Sequence, residues 1–300
     1  MKRFIDEHRG CYSVESMCKQ LHMAPSIYYA HAAIKRNPAL RSNRAKADEV
    51  LCEHIARIWR ENYQVYGVRK VWHQLLLDGV TVARCTVSRL MKQLGIEGIR
   101  RGKRIKTTLA DNEPFVVEDK VKRQFNASAP NQVWVADFTY VSTWQGFAYV
   151  AFVIDIFARR IVGWRVSNHM RAQFVLDALE QALYQRRPSK KELIHHSDKG
   201  SQYTCISYTQ RLIQAGIEPS VGKTGSAYDN ALAETINGLY KTELIKQKSW
   251  KNRQELELAT LKWVHWFNHQ RIFSSIGNMP PARAEQLYYD KSHQVVKRAA

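Results

Sequence analysis

The stretch Val133–Val141 constrains the fold more than any other part of the chain. Its letters, VWVADFTYV, are mostly β-branched and aromatic residues, which is typical of a β-strand. Side chains alternate between the two faces of a strand, so Asp137 shares one face with Val135, Thr139 and the two ends of the stretch. A lone carboxylate on such a face is costly to bury unless it is paired. Either this is an edge strand whose Asp faces water, or the carboxylate has a function.

Two later carboxylates favour a function. Asp198 lies in LIHHSDKGSQY, where an apolar run ends and a glycine-containing turn begins, so we expect it at the end of a strand. Glu234 lies in YDNALAETINGLYK, which has the spacing of a helix. Sixty residues separate the two aspartates, and thirty-five separate Asp198 from Glu234.

This pattern resembles the D,D(35)E signature of the retroviral-integrase superfamily of DNA-strand-transfer enzymes. Within it, HSDKGSQY at 196–203 and YDNA at 228–231 are similar to the bacterial insertion-sequence-three transposases, in particular to their second-reading-frame product. Lys241, seven residues after Glu234, matches the family's basic position. The resemblance covers about Tyr12 to Tyr288. It implies an α/β, ribonuclease-H-like core with a mixed five-stranded sheet and flanking helices, and a transposase that cuts element ends and joins them to target DNA.

The chemistry of phosphodiester transfer suits three carboxylates. Two hard cations roughly 3.5–4 Å apart can activate the attacking oxygen and stabilise the leaving oxygen. Mg²⁺ prefers oxygen ligands and keeps some of its waters, and Mn²⁺ can substitute for it. The resemblance implies that Asp137 bridges both ions, while Asp198 holds one and Glu234 the other.

The segment around Glu234 supports this assignment independently of the resemblance. At 100° per residue, Asn230, Glu234, Asn237 and Lys241 fall on one polar stripe, and the apolar residues lie off it. The carboxylate would face a cleft, and Asn230 and Lys241 are candidate DNA contacts. The alternative is an ordinary amphipathic helix with a solvent-exposed Glu–Lys pair.

Other polar residues near these positions have simpler explanations. Asp155 is interpreted as a structural carboxylate paired with Arg159 or Arg160, and Asp177 as a solvated surface charge. His196 could assist proton transfer, but such a histidine is more often packed at a strand end. The serines and threonines near the aspartates lack the His–Asp partner spacing of nucleophilic catalysis, which argues against an acyl-transfer enzyme.

The chain before the core predicts two small helical units. Residues 1–47 are interpreted as a helix-turn-helix-like segment, with Ser13 as a helix cap, followed by a polar basic linker from residue 31. Residues 48–98 predict a second helix-turn-helix-like, DNA-binding domain, whose three helices have these expected inner positions: Val50, Ile55, Ile58, Val71, Leu75, Leu76, Val87, Leu90, Met91 and Leu94. Gly95 would end the third helix, whose Arg84 and Arg89 are candidate DNA contacts. A small helical domain for protein contacts is the alternative.

Residues 99–126 predict a basic connector. Arg100, Arg101, Lys103 and Arg104 crowd together there and are candidate phosphate contacts, although a solvated tether would look the same. His8, Cys11, Cys18 and His22 upstream do not have the spacing of a two-plus-two zinc finger.

Residues 127–290 predict the catalytic domain, in the order strand, strand, strand, helix, strand, helix, strand, helix, followed by a C-terminal helix. That helix, from Asn252 to Phe267, has a plausible capping box at Asn252–Glu255 and an aromatic stripe better explained as core than as base-stacking. Arg271 either contacts DNA or holds the C-terminal turn. Residues 291–300 are expected to be a loose tail.

The charge balance fits a long polyanionic partner. The formal net charge is +19, with +11 up to residue 125 and +8 beyond it. We expect double-stranded DNA, both the element's terminal inverted repeats and its target, as the partner of a homo-oligomer, with an upstream-frame protein or a fusion to it as a further partner.

Five irregularly spaced cysteines and no signal peptide or long apolar run indicate the bacterial cytoplasm, at the nucleoid, and no membrane. A ribonuclease-H-like nuclease or prophage integrase, and a non-catalytic DNA-binding regulator, remain as alternatives.

Overall fold

The computed structural model describes residues 1–100, 102, 127–189, 193–198, 200–221 and 230–299. Of the predicted connector residues, Arg101, Lys103 and Arg104 lie outside this described part of the chain.

The N-terminal unit consists of α1 (Lys2–His8), α2 (Val14–Gln20) and α3 (Pro25–Arg36). The Ser13 side chain accepts a hydrogen bond from the Ser16 N–H at 3.2 Å, so the predicted cap is confirmed. The three helices bury a small core of their own: Ile5, Met17, Cys18 and Tyr28. This core is too small to supply much stability by itself.

The second helical unit consists of α4 (Asn43–Glu61), α5 (Val68–Leu77) and α6 (Arg84–Gln93). The expected linker from residue 31 to 47 is wrong at both ends, since α3 continues to Arg36 and α4 starts at Asn43. An exposed helix face rich in basic residues has the composition of a linker, which explains the error. Gly95 follows α6 with a φ of +67°, which confirms the predicted helix end.

Most of the predicted inner positions of this unit are buried, but three are wrong. Val50, Leu76 and Leu94 lie at the borders of their apolar stripes and are exposed. The buried positions are Ile55, Ile58, Val71, Leu75, Val87, Leu90 and Met91. The helical period was therefore correct, and the width of each buried stripe was overestimated.

The core of the molecule is a five-stranded mixed sheet, which confirms the predicted fold class. Its strands are β1 (Val133–Thr143), β2 (Gly146–Asp155), β3 (Arg160–Ser167), β4 (Ile194–Ser197) and β5 (Glu218–Val221). Their order in the sheet is β3-β2-β1-β4-β5. The first three strands are antiparallel, whereas β4 is parallel to β1 and β5 is parallel to β4.

Five helices complete the core, of which the first four follow the predicted order and the fifth was not predicted. They are α7 (Ala172–Arg186), α8 (Ile206–Gln214), α9 (Ala231–Glu243), α10 (Arg253–His269) and α11 (Pro281–Ala299). The expected loose tail from residue 291 is wrong, because α11 continues to Ala299.

The two faces of the sheet bury separate apolar cores. Helices α7 and α8 cover one face, together with Trp134, Ala136 and Val153 from the strands. Gly163 permits the close approach of α7, since a Cβ atom there would lie 2.1 Å from the Ala178 carbonyl oxygen. Helices α9 and α10 cover the other face, which carries Val135 and Val141. The side-chain alternation predicted for β1 is confirmed.

The second helical unit shares a core with the α9–α10 face of the sheet. The Trp266 Nε1–H donates to Asn62 Oδ1 at 3.0 Å, and the Ile272 N–H donates to the Tyr66 hydroxyl at 2.9 Å. Tyr66 and Trp266 are both buried. The second helical unit is therefore packed directly against the α9–α10 face of the sheet.

The capping box predicted for α10 is half confirmed. The Glu255 N–H donates to Asn252 Oδ1 at 2.9 Å, but the Glu255 carboxylate accepts from the Lys251 N–H rather than from the Asn252 N–H. Trp263, Trp266 and Phe267 are buried, so the aromatic stripe of this helix belongs to the core as expected.

Candidate active site

Two neighbouring parallel strands bring the two aspartates to the same end of the sheet. Ala136 on β1 pairs with Ser197 on β4, and each is followed directly by an aspartate, Asp137 or Asp198. Because the strands run in the same direction, both carboxylates emerge at the carboxyl end of this pair. The strand-end position predicted for Asp198 is confirmed.

Helix α9 is fastened across the middle of β1, where the pairing of β1 with β4 ends, by two side-chain amides. The Asn230 Nδ2–H donates to the Ala136 carbonyl oxygen at 2.9 Å, and the Asn237 Nδ2–H donates to Asp137 Oδ2 at 2.9 Å. Glu234 lies between these two asparagines on the same polar stripe. The predicted stripe thus faces β1, while Leu232, Ala233, Ile236 and Tyr240 are buried in the core.

The Asp137 carboxylate is held by donors that carry no charge. Besides the Asn237 amide, the Phe138 N–H donates to its Oδ1 atom at 2.8 Å. The pKa of Asp137 is raised to about 7, first by burial and then by the nearby charge of Asp198, against the opposing effect of the two hydrogen bonds. Glu234 is a smaller contributor in the same direction. The site therefore disfavours a third negative charge and would favour a cation.

The turn after β4 holds Asp198 by its own backbone. The Gly200 N–H donates to Asp198 Oδ1 at 3.1 Å, and a Cβ atom at Gly200 would lie only 3.0 Å from that oxygen. Asp198 is exposed as a residue, but the protein atoms around its carboxylate displace water and raise its pKa. The Gly200 N–H and the charge of His196 lower it, so desolvation is the larger effect.

The donors of this site are chemically suited to a hard divalent cation. All three are carboxylates, the ligand type that Mg²⁺ prefers. Among the described residues, no group of three His, Cys, Asp or Glu side chains lies close enough together to hold a metal ion in the present conformation. The residue types therefore fit Mg²⁺, and the three carboxylates would have to move closer together to bind it.

Asp155 has a different partner from the one expected. Its carboxylate pairs with Arg186 at 3.2 Å, not with Arg159 or Arg160, and it also accepts from the Asn131 N–H at 2.7 Å. Arg160 instead pairs with Glu285. The structural role proposed for Asp155 holds, but its partner comes from α7, far away in sequence.

Asp177 is also paired rather than simply solvated. It accepts a hydrogen bond from Gln173 at 2.8 Å and forms an ion pair with Arg165 at 3.2 Å. Both partners lie on the α7 face of the sheet, opposite Asp137. Asp177 is therefore a partly exposed surface charge, as expected, with partners that the sequence did not indicate.

The two histidines before Asp198 are packed at the strand end. His196 is fully buried, with its Nδ1 atom 2.9 Å from the Ser220 hydroxyl. The His195 Nε2 atom lies 3.0 Å from the Tyr208 hydroxyl, and burial lowers the pKa of His195 to about 3. Both contacts favour the packing interpretation over a direct chemical role.

Arg271 holds the C-terminal turn. Its guanidinium is buried and makes a forked ion pair with the carboxylate of Glu243, with contacts as short as 2.5 Å. Glu243 is the last residue of α9, the helix that carries Glu234. Of the two roles considered for Arg271, the structure therefore shows the positioning one.

The candidate DNA contacts are distributed over several surfaces. Arg84 and Arg100 are exposed, and Arg89 is exposed but pairs with Asp48 at 2.7 Å. Lys241 lies with its Nζ atom 4.9 Å from the centre of the Tyr140 ring. Asn230 is buried, and its amide group is used in the bond to β1.

The most informative contact that the sequence did not predict is the hydrogen bond from Asn237 to Asp137. Helical spacing placed Asn237 on the stripe of Glu234, but it gave no reason to choose Asp137 as its partner. The signal was the repeat of asparagine at 230 and 237, seven residues apart and flanking the glutamate. Two amides at this spacing face the same neighbour of a helix.

No helix within the described ranges is both long and apolar enough to cross a membrane.

Comparison with known proteins identifies the same two regions. Residues 127–227 and 215–281 match families described as integrase core domains, and residues 46–104 match an HTH-like domain. The chain is 56% identical to the transposase for insertion sequence element IS629 of Shigella sonnei, covering 96% of this chain and 97% of that protein. It is 29% identical to transposase InsF for insertion sequence IS3A of Escherichia coli, covering 94% and 97%.

Among solved structures, the catalytic core domain of HTLV-2 integrase in complex with magnesium matches with a TM-score of 0.40. It is 14% identical, and the match covers 53% of this chain and 98% of that domain.

Proposed function

Because this chain belongs to the insertion-sequence-three family of transposases, we propose that Asp137, Asp198 and Glu234 are the residues with which it cuts and joins DNA. The chain is a polynucleotidyl transferase that acts in DNA transposition, built on an integrase core domain and an HTH-like domain.

The observation that carries the proposal is the fastening of α9 to β1. Asn230 and Asn237 bond to two consecutive residues of β1, Ala136 and Asp137, so Glu234 is held over the strand end where Asp137 and Asp198 emerge. Three carboxylates from three separate elements thus belong to one end of the sheet. A purely structural role would leave unexplained why two buried amides position this glutamate.

We propose that the three carboxylates bind two Mg²⁺ ions, which Mn²⁺ can replace. Asp137 would contact both ions, Asp198 one and Glu234 the other. When bound, the ions activate an attacking oxygen and stabilise the leaving oxygen at one phosphorus. The Asn237 amide orients the Asp137 carboxylate, and the Gly200 N–H orients that of Asp198.

Two successive transfers would take place at this site. First, water attacks a phosphate at the element end and releases a 3′-hydroxyl. That hydroxyl then attacks a phosphate of the target, so one phosphodiester bond is exchanged for another and no covalent enzyme intermediate is formed.

The DNA contacts are proposed from exposed basic residues. Arg84 and Arg89 lie on α6, which would be the second helix of a helix-turn-helix formed with α5. They would contact the element end, because such a helix lies in the major groove of DNA. Arg100 and the basic residues after it would contact phosphates, and Lys241 would contact the phosphate next to the reacting one. An element has two ends, so we propose that at least two copies act together in the bacterial cytoplasm, at the nucleoid, with or without an upstream-frame partner.

The test is an assay of nicking and joining on labelled element ends with Mg²⁺ or Mn²⁺. Asp137→Asn, Asp198→Asn and Glu234→Gln should each lower both rates by about a thousandfold or more, because each removes a ligand worth several kcal/mol to the transition state. DNA binding should persist in all three variants.

The matched control is Asp177→Asn, which also neutralises a half-buried aspartate but lies on the α7 face of the sheet. It should retain activity. Full activity in any one of the three site variants would contradict the proposed triad. If the wild-type chain is itself inactive, the same variants should be compared in the protein fused to its upstream frame.

A further inference from the structure

The hairpin between β1 and β2 exposes three large aromatic side chains. Tyr140 is 59% exposed, Trp144 73% and Phe147 57%. Single exposed apolar residues are ordinary, but three on one hairpin form a patch that calls for a partner. We refer to these three residues as the hairpin aromatics.

The patch begins where helix α7 no longer covers the sheet. Further along the same face, Phe174 of α7 packs on Phe138 at a ring distance of 5.4 Å and on Tyr149 at 6.3 Å. Tyr140 pairs across the hairpin with Tyr149, one step beyond this contact. Tyr140 and Phe147 then pack against each other with ring centres 5.6 Å apart and ring planes nearly perpendicular.

The hairpin is held rigidly in place. The Trp144 N–H donates to the carbonyl oxygen of the buried Trp250 at 3.0 Å, and the Thr143 hydroxyl donates to the Gly146 carbonyl at 2.7 Å. Gly146 has a φ of +108°, which the tight turn requires. The aromatic rings are therefore presented on a fixed support, which lowers the entropy lost when a ligand binds.

Positive charge lies next to the rings. The Lys241 Nζ atom is 4.9 Å from the centre of the Tyr140 ring, and the Lys248 Nζ atom is 4.5 Å from that of Trp250. Lys248 is also paired with Glu255 at 2.5 Å, so Lys241 is the cation better placed for an anion. Flat rings beside a lysine fit a ligand that combines flat rings with phosphate, and this describes a nucleotide strand.

The patch is a short distance along β1 from the carboxylates, but Tyr140 leaves the strand on the face opposite Asp137, and Lys241, on the helix that carries Glu234 and 4.9 Å from the Tyr140 ring, links the two. Tyr140 follows Asp137 by three residues of a strand and Lys241 follows Glu234 by seven residues of a helix, and each of these steps is about 10 Å long. Bases advance about 3.4 Å per nucleotide along one strand of a duplex. A strand that reacts at the carboxylates would thus bring a nucleotide about three positions away to the hairpin aromatics.

We propose that the hairpin aromatics, together with Lys241, bind unpaired bases of the DNA strand beside the reacting phosphate. Bases in an intact duplex already stack on each other, so this surface selects DNA whose end is frayed, nicked or extended as a single strand. Stacking tolerates any base, which leaves sequence recognition to other parts of the protein. The location relative to the reaction rests on the proposed function, whereas the preference for unpaired bases does not.

The experiment compares two DNA probes of the same arbitrary duplex sequence, one blunt and one with an unpaired extension of about five thymidines, by fluorescence anisotropy in EDTA. Stacking is worth about 1–3 kcal/mol per base, so the wild-type chain should bind the extended probe about tenfold more tightly or better. The double variant Tyr140→Leu/Phe147→Leu should lose this preference. Tyr140→Phe, which keeps the ring, should retain it.

The matched control is Tyr184→Leu. Tyr184 is 77% exposed on α7 and lies near a cation, Arg187, but it is not part of the hairpin. It should retain the wild-type preference. All these positions are exposed, so each variant should unfold at nearly the wild-type temperature.

Two results would overturn the proposal: equal binding of both probes by the wild-type chain, or a preference that survives in the double variant. If light scattering instead shows that the double variant loses self-association while the probe preference is unchanged, the patch is an interface between copies. Because EDTA prevents metal-dependent cleavage, a failure here leaves the three-carboxylate proposal intact, and inactivity in the cleavage assay leaves this binding result intact.

Discussion

Asp137 and Asp155 lie on paired strands of one sheet, yet their surroundings have opposite character. Asp155 is fully buried, and it pairs with Arg186 and accepts from two backbone N–H groups. Among the described residues, Asp137 accepts hydrogen bonds from neutral donors, an amide and one N–H; other carboxylates lie nearby, and Lys241 is close enough to feel its charge. The fold thus gives Asp155 a direct ion pair, whereas Asp137 has none among the described residues.

Burial acts on both groups in the same direction. It raises the pKa of Asp155 as well as that of Asp137. At Asp155 the hydrogen bond from Asn131 and the charge of Arg186 oppose that rise, whereas at Asp137 the charge of Asp198 adds to it. A perturbed pKa alone therefore does not identify a functional carboxylate, but the charge of its neighbours does.

The comparison predicts its largest effect on stability at Asp155. Asp155→Asn should lower the free energy of unfolding by about 3–5 kcal/mol, because it leaves the mostly buried Arg186 charge with less compensation. Asp137→Asn should not lower it in EDTA, since it removes a charge that the fold disfavours. Urea unfolding of the two variants side by side measures this. A larger loss at Asp137 than at Asp155 would reverse the assignment.

The next effect concerns Asn237, which orients Asp137. Asn237→Ala should lower the rate of end cleavage by roughly 10–100-fold, the usual range for residues that orient a metal ligand. The control is Thr242→Ala, which removes a hydrogen bond within the same helix, from the Thr242 hydroxyl to the Gly238 carbonyl. Equal rates for Asn237→Ala and the wild-type chain would remove Asn237 from the site.

The sequence predicted those features that depend on residues close together in the chain. The strand around Asp137, the stripe that carries Glu234 and the cap at Ser13 follow from periods of two or 3.6 residues and from one capping rule, and all three agree with the structure. The motif spacing then supplied the fold class by resemblance, because no local rule connects residues 137, 198 and 234.

The predictions that failed concern contacts between distant segments. Asp155 was assigned to the nearest arginines in sequence, but its partner, Arg186, lies on the next helix. The packing of Tyr66 against the turn at Ile272 joins residues more than two hundred positions apart, and no single-sequence pattern encodes it. Helix α11 was not predicted, because a polar sequence at the end of a chain has the composition of a loose tail.

A pH measurement sharpens the comparison at Asp137. Its pKa is about 7 in the folded chain against an ordinary 3.8, so between these values the folded state holds more protons than the unfolded state. In EDTA the free energy of unfolding should therefore decrease as the pH rises from about 4 through about 7. Asp137→Asn should flatten this slope, and Asp177→Asn should not. An unchanged slope in Asp137→Asn would show that this carboxylate is not perturbed.

The smallest effect is expected far from both aspartates, on α6. Arg84→Ala should weaken binding of element-end DNA a few-fold and reduce the dependence of log affinity on log salt by about one phosphate contact. The control is Arg60→Ala, an exposed arginine on α4. A salt dependence that is identical in wild type and Arg84→Ala would place the DNA on another surface.

The central claim is that Asp137, which forms no direct ion pair among the described residues, binds a cation together with Asp198 and Glu234. The most direct test is a titration of the chain with Mn²⁺, following free Mn²⁺ by electron paramagnetic resonance. We predict that wild type and Asp177→Asn bind the ion, and that Asp137→Asn, Asp198→Asn and Glu234→Gln each weaken binding at least about tenfold. Undiminished Mn²⁺ binding by Asp137→Asn would contradict the claim.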